Sequence, residues 1–212
     1  MLQSGFLIII SVLVLPVVVA QPESITIEWR ENLPGDFSFV NNWSYPEGVY
    51  KNQFGQLSCD GLCPEGLDQL KLENGKIPKE NLEVFYQILD TTHFTYSIQS
   101  EAWCYEFFGT NFIHLTESPA STMIWETEKN AATHCFLRLQ IEGDKCTPII
   151  VLNSITATEE QVFNFKKGFI RIDKHLWEKG IFKAVIDFTF HNHLDPLKEI
   201  FWKGQILSEF QR

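Results

Sequence analysis

Two cysteines four positions apart, Cys59 and Cys63 in the stretch Ser-Cys-Asp-Gly-Leu-Cys-Pro-Glu, form the densest group of reactive side chains in the sequence. Three chemistries use such a pair. A structural zinc site needs a second short-spaced pair of Cys or His ligands, and the chain offers only the scattered His93, Cys104, His114 and His134-Cys135. A redox dithiol needs Cys-x-x-Cys at a helix N-terminus, where the dipole stabilises a thiolate; here the spacing is one residue longer, although a helix start is readable at Pro64. A disulfide needs only an oxidising compartment. Cys59, Cys63 and Cys104 are therefore the expected bridging residues, and the odd total of five cysteines leaves one thiol over.

The compartment is read from the start of the chain. Phe6 to Ala20 is an uninterrupted apolar run ending in the small residues Val18-Val19-Ala20. That pattern predicts a cleavable signal over residues 1–20, followed by one secreted or periplasmic domain over residues 21–212. The run falls short of the roughly 20 residues that span a bilayer, so no stable membrane anchor is expected after cleavage. The lack of Lys or Arg in the first five residues is the one feature that departs from the usual leader. All charged residues follow the leader and sum to −10. Such a surface repels phosphate backbones, which excludes nucleic acid as a partner, and it disfavours docking on anionic lipid.

A second constellation, His191, His193 and Asp195, alternates so that an extended chain points all three side chains one way. Two such histidines can chelate a metal. The run resembles the start of the His-x-His-x-Asp-His motif of the metallo-β-lactamase type, but Pro196 replaces the last histidine and the position near the C-terminus does not suit that fold. That family is excluded, and no metal or other cofactor is favoured. There is no Gly-x-Ser-x-Gly elbow, His-Glu-x-x-His helix or glycine-rich phosphate loop. Glu101 and Glu106 could flank a cleft, but a glycosidase pair is defined by distance in space. Asn42-Trp43-Ser44 is a glycosylation sequon for a eukaryotic secretory pathway.

The elements that position these residues follow from periodicity. Phe182, Ala184, Ile186, Phe188 and Phe190 alternate with Lys183, Val185, Asp187, Thr189 and His191, which predicts a strand with one buried face. With the flanking runs Gly168 to Asp173 and Glu199 to Leu207 it forms an antiparallel meander, and the intervening Lys174 to Gly180 and Asn192 to Lys198 read as turns. Upstream, Gly143-Asp144 suits a two-residue hairpin turn. That register sets Ile141 opposite Cys146, Leu139 opposite Pro148, Leu137 opposite Ile150 and Cys135 opposite Leu152, all on one face. Cys135 and Cys146 are then about 20 Å apart at the rise of a strand, beyond disulfide reach, and one of these two core-facing residues is the expected free thiol. Leu82, Phe85, Tyr86 and Leu89 recur at helical spacing, with a weaker helix over 64–73 ending at Asn74-Gly75. Ser24 to Arg30 and Phe112 to Thr116 read as extended. The predicted fold is a mainly β, antiparallel, sandwich-like domain with a short helical insertion over about residues 64–92.

With 6 Trp, 5 Tyr and 18 Phe the chain carries more aromatic surface than its core pattern assigns. Trp43, Tyr45, Trp103, Tyr105 and Trp125 lie outside the clearest core runs, and flat aromatic faces suit a sugar or protein ligand. The expected function is that of a non-catalytic binding protein with a glycan or protein ligand. The alternative is a metal-dependent or thiol-dependent enzyme built on Cys59, Cys63 and nearby histidines, or on His191, His193 and Asp195.

Overall fold

A computed structural model of the chain describes residues 23–73, 75–117 and 121–210; the expected signal lies outside them. The strands are β1 (Ile25–Thr26), β2 (Glu28–Arg30), β3 (Trp43–Ser44), β4 (Val49–Lys51), β5 (Leu57–Cys59), β6 (Phe94–Thr95), β7 (Ile98–Trp103), β8 (Ile113–Glu117), β9 (Thr122–Thr127), β10 (Cys135–Glu142), β11 (Lys145–Leu152), β12 (Gln161–Asp173), β13 (Ile181–Phe190) and β14 (Ile200–Glu209). The helices are α1 (Leu82–Ile88) and α2 (Lys174–Glu178). The protein is mainly antiparallel β, as its alternation predicts. Its two facing layers come from one curled sheet, in the order β7-β14-β13-β12-β11-β10-β9-β8, with β1 added to β11 and β2 to β12.

The predicted hairpin is present in the predicted register, with Cys135, Leu137, Leu139 and Ile141 opposite Leu152, Ile150, Pro148 and Cys146. Gly143 makes its turn with φ +58. Pro148 lacks an N–H and sits where β11 separates from β12, whose pairing starts only at Ile149. The short strands β1 and β2 fill that split. The meander β12-β13-β14 is also present, one bulge interrupting it between Phe165 and Lys167. Between β7 and β8 the curled sheet is joined only locally. Ser97 N–H and Ile98 N–H donate to the Asn111 carbonyl (2.9 and 3.2 Å), and the Ser97 hydroxyl accepts from Ile113 N–H at 2.8 Å.

The inward side chains of β7 to β14 form the main core, with Phe163, Phe165, Ile170, Phe182, Phe188, Phe190, Trp125 and Trp202 all buried. Aromatics close both ends. At one, Trp177 meets Trp29 (5.9 Å) and Phe210 (4.9 Å), and Phe210 meets Trp125 (5.4 Å). At the other, Phe107 packs on Trp202 at 4.6 Å and Tyr105 on Phe163 at 6.0 Å. Outward positions carry Lys183, Asp187, Lys203 and Gln205, so the polarity is the reverse of a transmembrane barrel, which faces lipid with its apolar side. Among the described residues no helix is long and apolar enough to cross a membrane.

The insertion has its own small core of Cys59, Leu67, Phe85 and Leu89. Phe85 and Leu89 lie inward as the helical spacing predicts, whereas Tyr86 is exposed. The weaker helix over 64–73 is reduced to a 3-10 turn at Asp68–Leu70, because Gly66 adopts φ +88, which an α-helix does not allow. Asn74 lies outside the described residues. Conversely, the turn expected at Lys174 to Gly180 contains α2, since Asp173 caps it by accepting from Leu176 N–H at 3.0 Å.

Two positions test this architecture. Gly168 has φ +136, and a Cβ there would lie 1.9 Å from the Asp187 carbonyl oxygen. Gly168→Ala is expected to lower unfolding free energy by about 2–4 kcal/mol, read by urea denaturation. Asp173 is buried, which pushes its carboxyl up, but hydrogen bonds from Leu33 N–H and Leu176 N–H outweigh that and leave it below the usual carboxylate value. Its contribution is therefore present above about pH 4 and lost as pH falls through the depressed value. Asp173→Ala is expected to cost about 1–2 kcal/mol at neutral pH, with the gap to the parent closing in acid.

Candidate functional site

The opening cysteine pair is a staple: Cys59 is bonded to Cys63. Cys104 is bonded to Cys135, which ties the loop after β7 to the start of β10. The insertion is therefore linked to the sheet by no disulfide among the described residues. Cys146 is free and buried on the core face, and burial pushes its thiol far above the usual value. It is a small hydrophobe there, unable to form the thiolate a nucleophile needs. The thiol-dependent reading loses its reactive pair.

The histidines do not converge. His93 stacks on Trp43 at 3.7 Å, and His114 stands 3.8 Å from Glu128. β13 ends at Phe190, so His191, His193 and Asp195 lie in a turn instead of an extended run. His193 meets Gln161 at 3.2 Å and stacks on Phe163 at 4.9 Å, while Asp195 pairs with Lys198 at 3.6 Å. No group of three or more His, Cys, Asp or Glu side chains placed to hold a metal occurs among the described residues. The two candidate acids are likewise structural. Glu101 pairs with Lys203 at 3.1 Å, and Glu106 accepts from the Ser154 hydroxyl at 2.5 Å.

Residues 104–112 cross one end of the barrel and then turn to flank β7. Glu106 takes φ +53, rare for a non-glycine residue. The loop is held there by the Cys104–Cys135 bond, by His134 N–H donating to the Glu106 carbonyl (2.9 Å) and by the Thr133 hydroxyl donating to the Gly109 carbonyl (3.0 Å). With Phe107 turned inward, Phe108 is left 82% exposed.

Between this loop, β7 and β3 lies a cleft of about 620 Å³. Ser100 forms part of its floor, and the Ser100 hydroxyl is buried with no hydrogen-bond partner among the described residues. Aromatic faces rim it: Tyr45, Phe94, Phe108 and Phe112. Phe112 is supported by Tyr96 (5.6 Å) and Phe94 (6.4 Å), and Tyr45 by Trp43 (5.0 Å) and His93 (5.2 Å). Polar groups alternate with them, from Ser44, Thr110, Asn111, His114, Glu128 and Asn130. Glu47 pins the Tyr45 segment over the cleft by accepting from Ala131 N–H at 2.8 Å. Size, aromatic walls and a few fixed polar groups are the attributes of a small-ligand site.

Of the five aromatics singled out from sequence, Tyr45 lines this cleft and Trp43 buttresses it. Trp103 and Tyr105 are half-buried, 5.4 Å apart, and line none of it. Trp125 is fully buried in the core, so its ring faces no ligand at the surface. Ser100, Phe94, Phe108, Phe112 and Glu128 escape sequence reasoning, and His114 enters it only as a scattered metal ligand; the one available signal was the i, i+2 spacing of Phe112 and His114 in the extended run Phe112 to Thr116. No protein-family model, curated protein or solved structure matches the chain.

Peptide mapping of the unreduced protein, alkylated before digestion, checks the cysteine assignment. The expected result is linked Cys59–Cys63 and Cys104–Cys135 peptides, with Cys146 alkylated only after unfolding. Free Cys59 and Cys63 would revive a thiol or metal role.

Proposed function

We propose that this is a secreted, non-catalytic binding protein that holds an oligosaccharide in the cleft between β7 and the 104–112 loop. The observation that carries the reading is the cleft itself, in which the rings of Tyr45, Phe94, Phe108 and Phe112 alternate with the polar groups of Thr110, Asn111, Glu128 and Asn130. Sugar rings present an apolar face for Tyr45, Phe108 or Phe112 and hydroxyls for Asn111, Asn130 and Glu128. Two disulfides and a leader-like N-terminus support an oxidising, extracytoplasmic compartment. The candidate thiols and histidines are bonded, stacked or separated, which favours binding over catalysis.

A protein ligand is the second reading, favoured by the insertion, which exposes Phe54, Leu62, Leu72, Val84, Tyr86 and Ile88.

A printed array of mono- and oligosaccharides, followed by calorimetric titration of any hit, separates the two. A saccharide whose affinity falls about tenfold in Tyr45→Ala or Phe108→Ala, as loss of about 1.4 kcal/mol requires, upholds the cleft. Binding that is indifferent to both substitutions, or no saccharide binding at all, overturns the oligosaccharide reading and leaves the exposed insertion as the surface to pursue.

A further inference from the structure

The triplet Asn42-Trp43-Ser44 is the one Asn-x-Ser/Thr with x other than Pro in the chain. Its placement is specific. Asn42 is exposed and its backbone is extended at φ −93 and ψ 156. The main chain is fully engaged, Asn42 N–H donating to the Phe39 carbonyl at 2.9 Å and the Asn42 carbonyl accepting from Tyr96 N–H at 3.1 Å. The side-chain amide, by contrast, bonds to no other described residue. The middle residue points elsewhere, with the Trp43 ring stacked on His93 at 3.7 Å and 16°. Strand alternation puts Asn42 and Ser44 on the face opposite Trp43.

We infer that Asn42 carries an N-linked glycan. In the reaction the Asn42 amide nitrogen attacks C1 of an oligosaccharide held as a lipid diphosphate. The new nitrogen–carbon bond forms as the carbon–oxygen bond to the diphosphate breaks. The diphosphate leaves with that electron pair, and the amide gives up one proton. Transfer meets the chain while it is extended, so the folded structure has to tolerate the product. It does, because a bulky, hydrated group on this amide displaces no contact and breaks no hydrogen bond of the fold. The second observation is the redox one: Cys59–Cys63 and Cys104–Cys135 fit an oxidising compartment, and the lumen in which such oligosaccharides are transferred is one. The ten other asparagines of the sequence, among them Asn111 in the cleft and Asn192 bound to Tyr105 and Lys198, lack the triplet.

The full-length chain secreted from cultured insect cells is the material, and intact mass before and after peptide N-glycosidase is the readout. The expected result is a secreted protein heavier than its polypeptide by one glycan, converted by the enzyme to the polypeptide mass with Asp at position 42. Asn42→Gln and Ser44→Ala abolish the added mass, and Ser44→Thr keeps it. The release and the Ser44→Thr variant retain Asn42, so the result stands even if Asn42→Gln is not secreted. Secreted, folded protein at the bare polypeptide mass overturns the inference. The readout needs no cleft ligand, so its failure is separate from failure of the binding proposal.

Discussion

The constraint on which the rest depends is volume. A sheet of eight strands that curls back on itself encloses an interior which must be filled, because a void forfeits both burial and dispersion contacts. This chain fills it with rings. Phe163, Phe182, Phe188, Phe190, Trp125 and Trp202 are each buried to within a few per cent, and each such side chain contributes about 1.5–3 kcal/mol on leaving water. The filling outranks local polarity: the indole N–H groups of Trp125 and Trp202 have no hydrogen-bond partner among the described residues. With the interior occupied by rings, the aromatic-rimmed cleft lies on the wall.

The wall is weakest where the sheet closes. β7 precedes the meander in sequence but pairs with its last strand, β14, so the ring must be completed by β7 meeting β8. They meet at Ser97, Ile98, Asn111 and Ile113, and there the small hydroxyl of Ser97 stands in for a missing backbone partner. Past that point the edge of β7 away from β14 has no strand beside it among the described residues, and the 104–112 loop flanks it. A loop cannot continue the ladder, so a cleft opens between them with Ser100 at its base. The Cys104–Cys135 bond and the Thr133 contacts keep that loop in place, which gives a preformed cavity instead of a collapsing one.

Elements whose information is local were legible in the sequence. The β10–β11 hairpin follows from Gly143-Asp144 and alternation, and its register alone forbade a Cys135–Cys146 bond. The same face assignment narrows the free thiol to Cys135 or Cys146, and the bond from Cys104 to Cys135 leaves Cys146 as that thiol. What local pattern could not supply was tertiary. Trp125 lies in Met123-Ile124-Trp125-Glu126, where no apolar–polar alternation assigns a face, and its pairing with Leu139 and Leu115 turns it inward. Lys174 to Glu178 read as a turn because the Asp173 cap depends on a carboxylate fixed by Leu33, 140 residues away. The cleft draws on residues near 45, 94, 100, 110 and 128, and no spacing in the chain joins those segments.

The same distribution of contacts bears on chemistry. The acidic side chains nearest a candidate site already have partners: Glu47 holds Ala131, Glu101 holds Lys203, Glu106 holds Ser154 and Ile155, and Glu126 holds Arg138. A catalytic acid or base has to be left free to exchange a proton within reach of a substrate. Glu47 and Glu106 pin loops in this way, and the groups that face the cleft are amides, hydroxyls and rings together with His114 and Glu128, which stand 3.8 Å apart. Amides, hydroxyls and rings orient a ligand by stacking and hydrogen bonding. The proposal of a binding role rests on those groups.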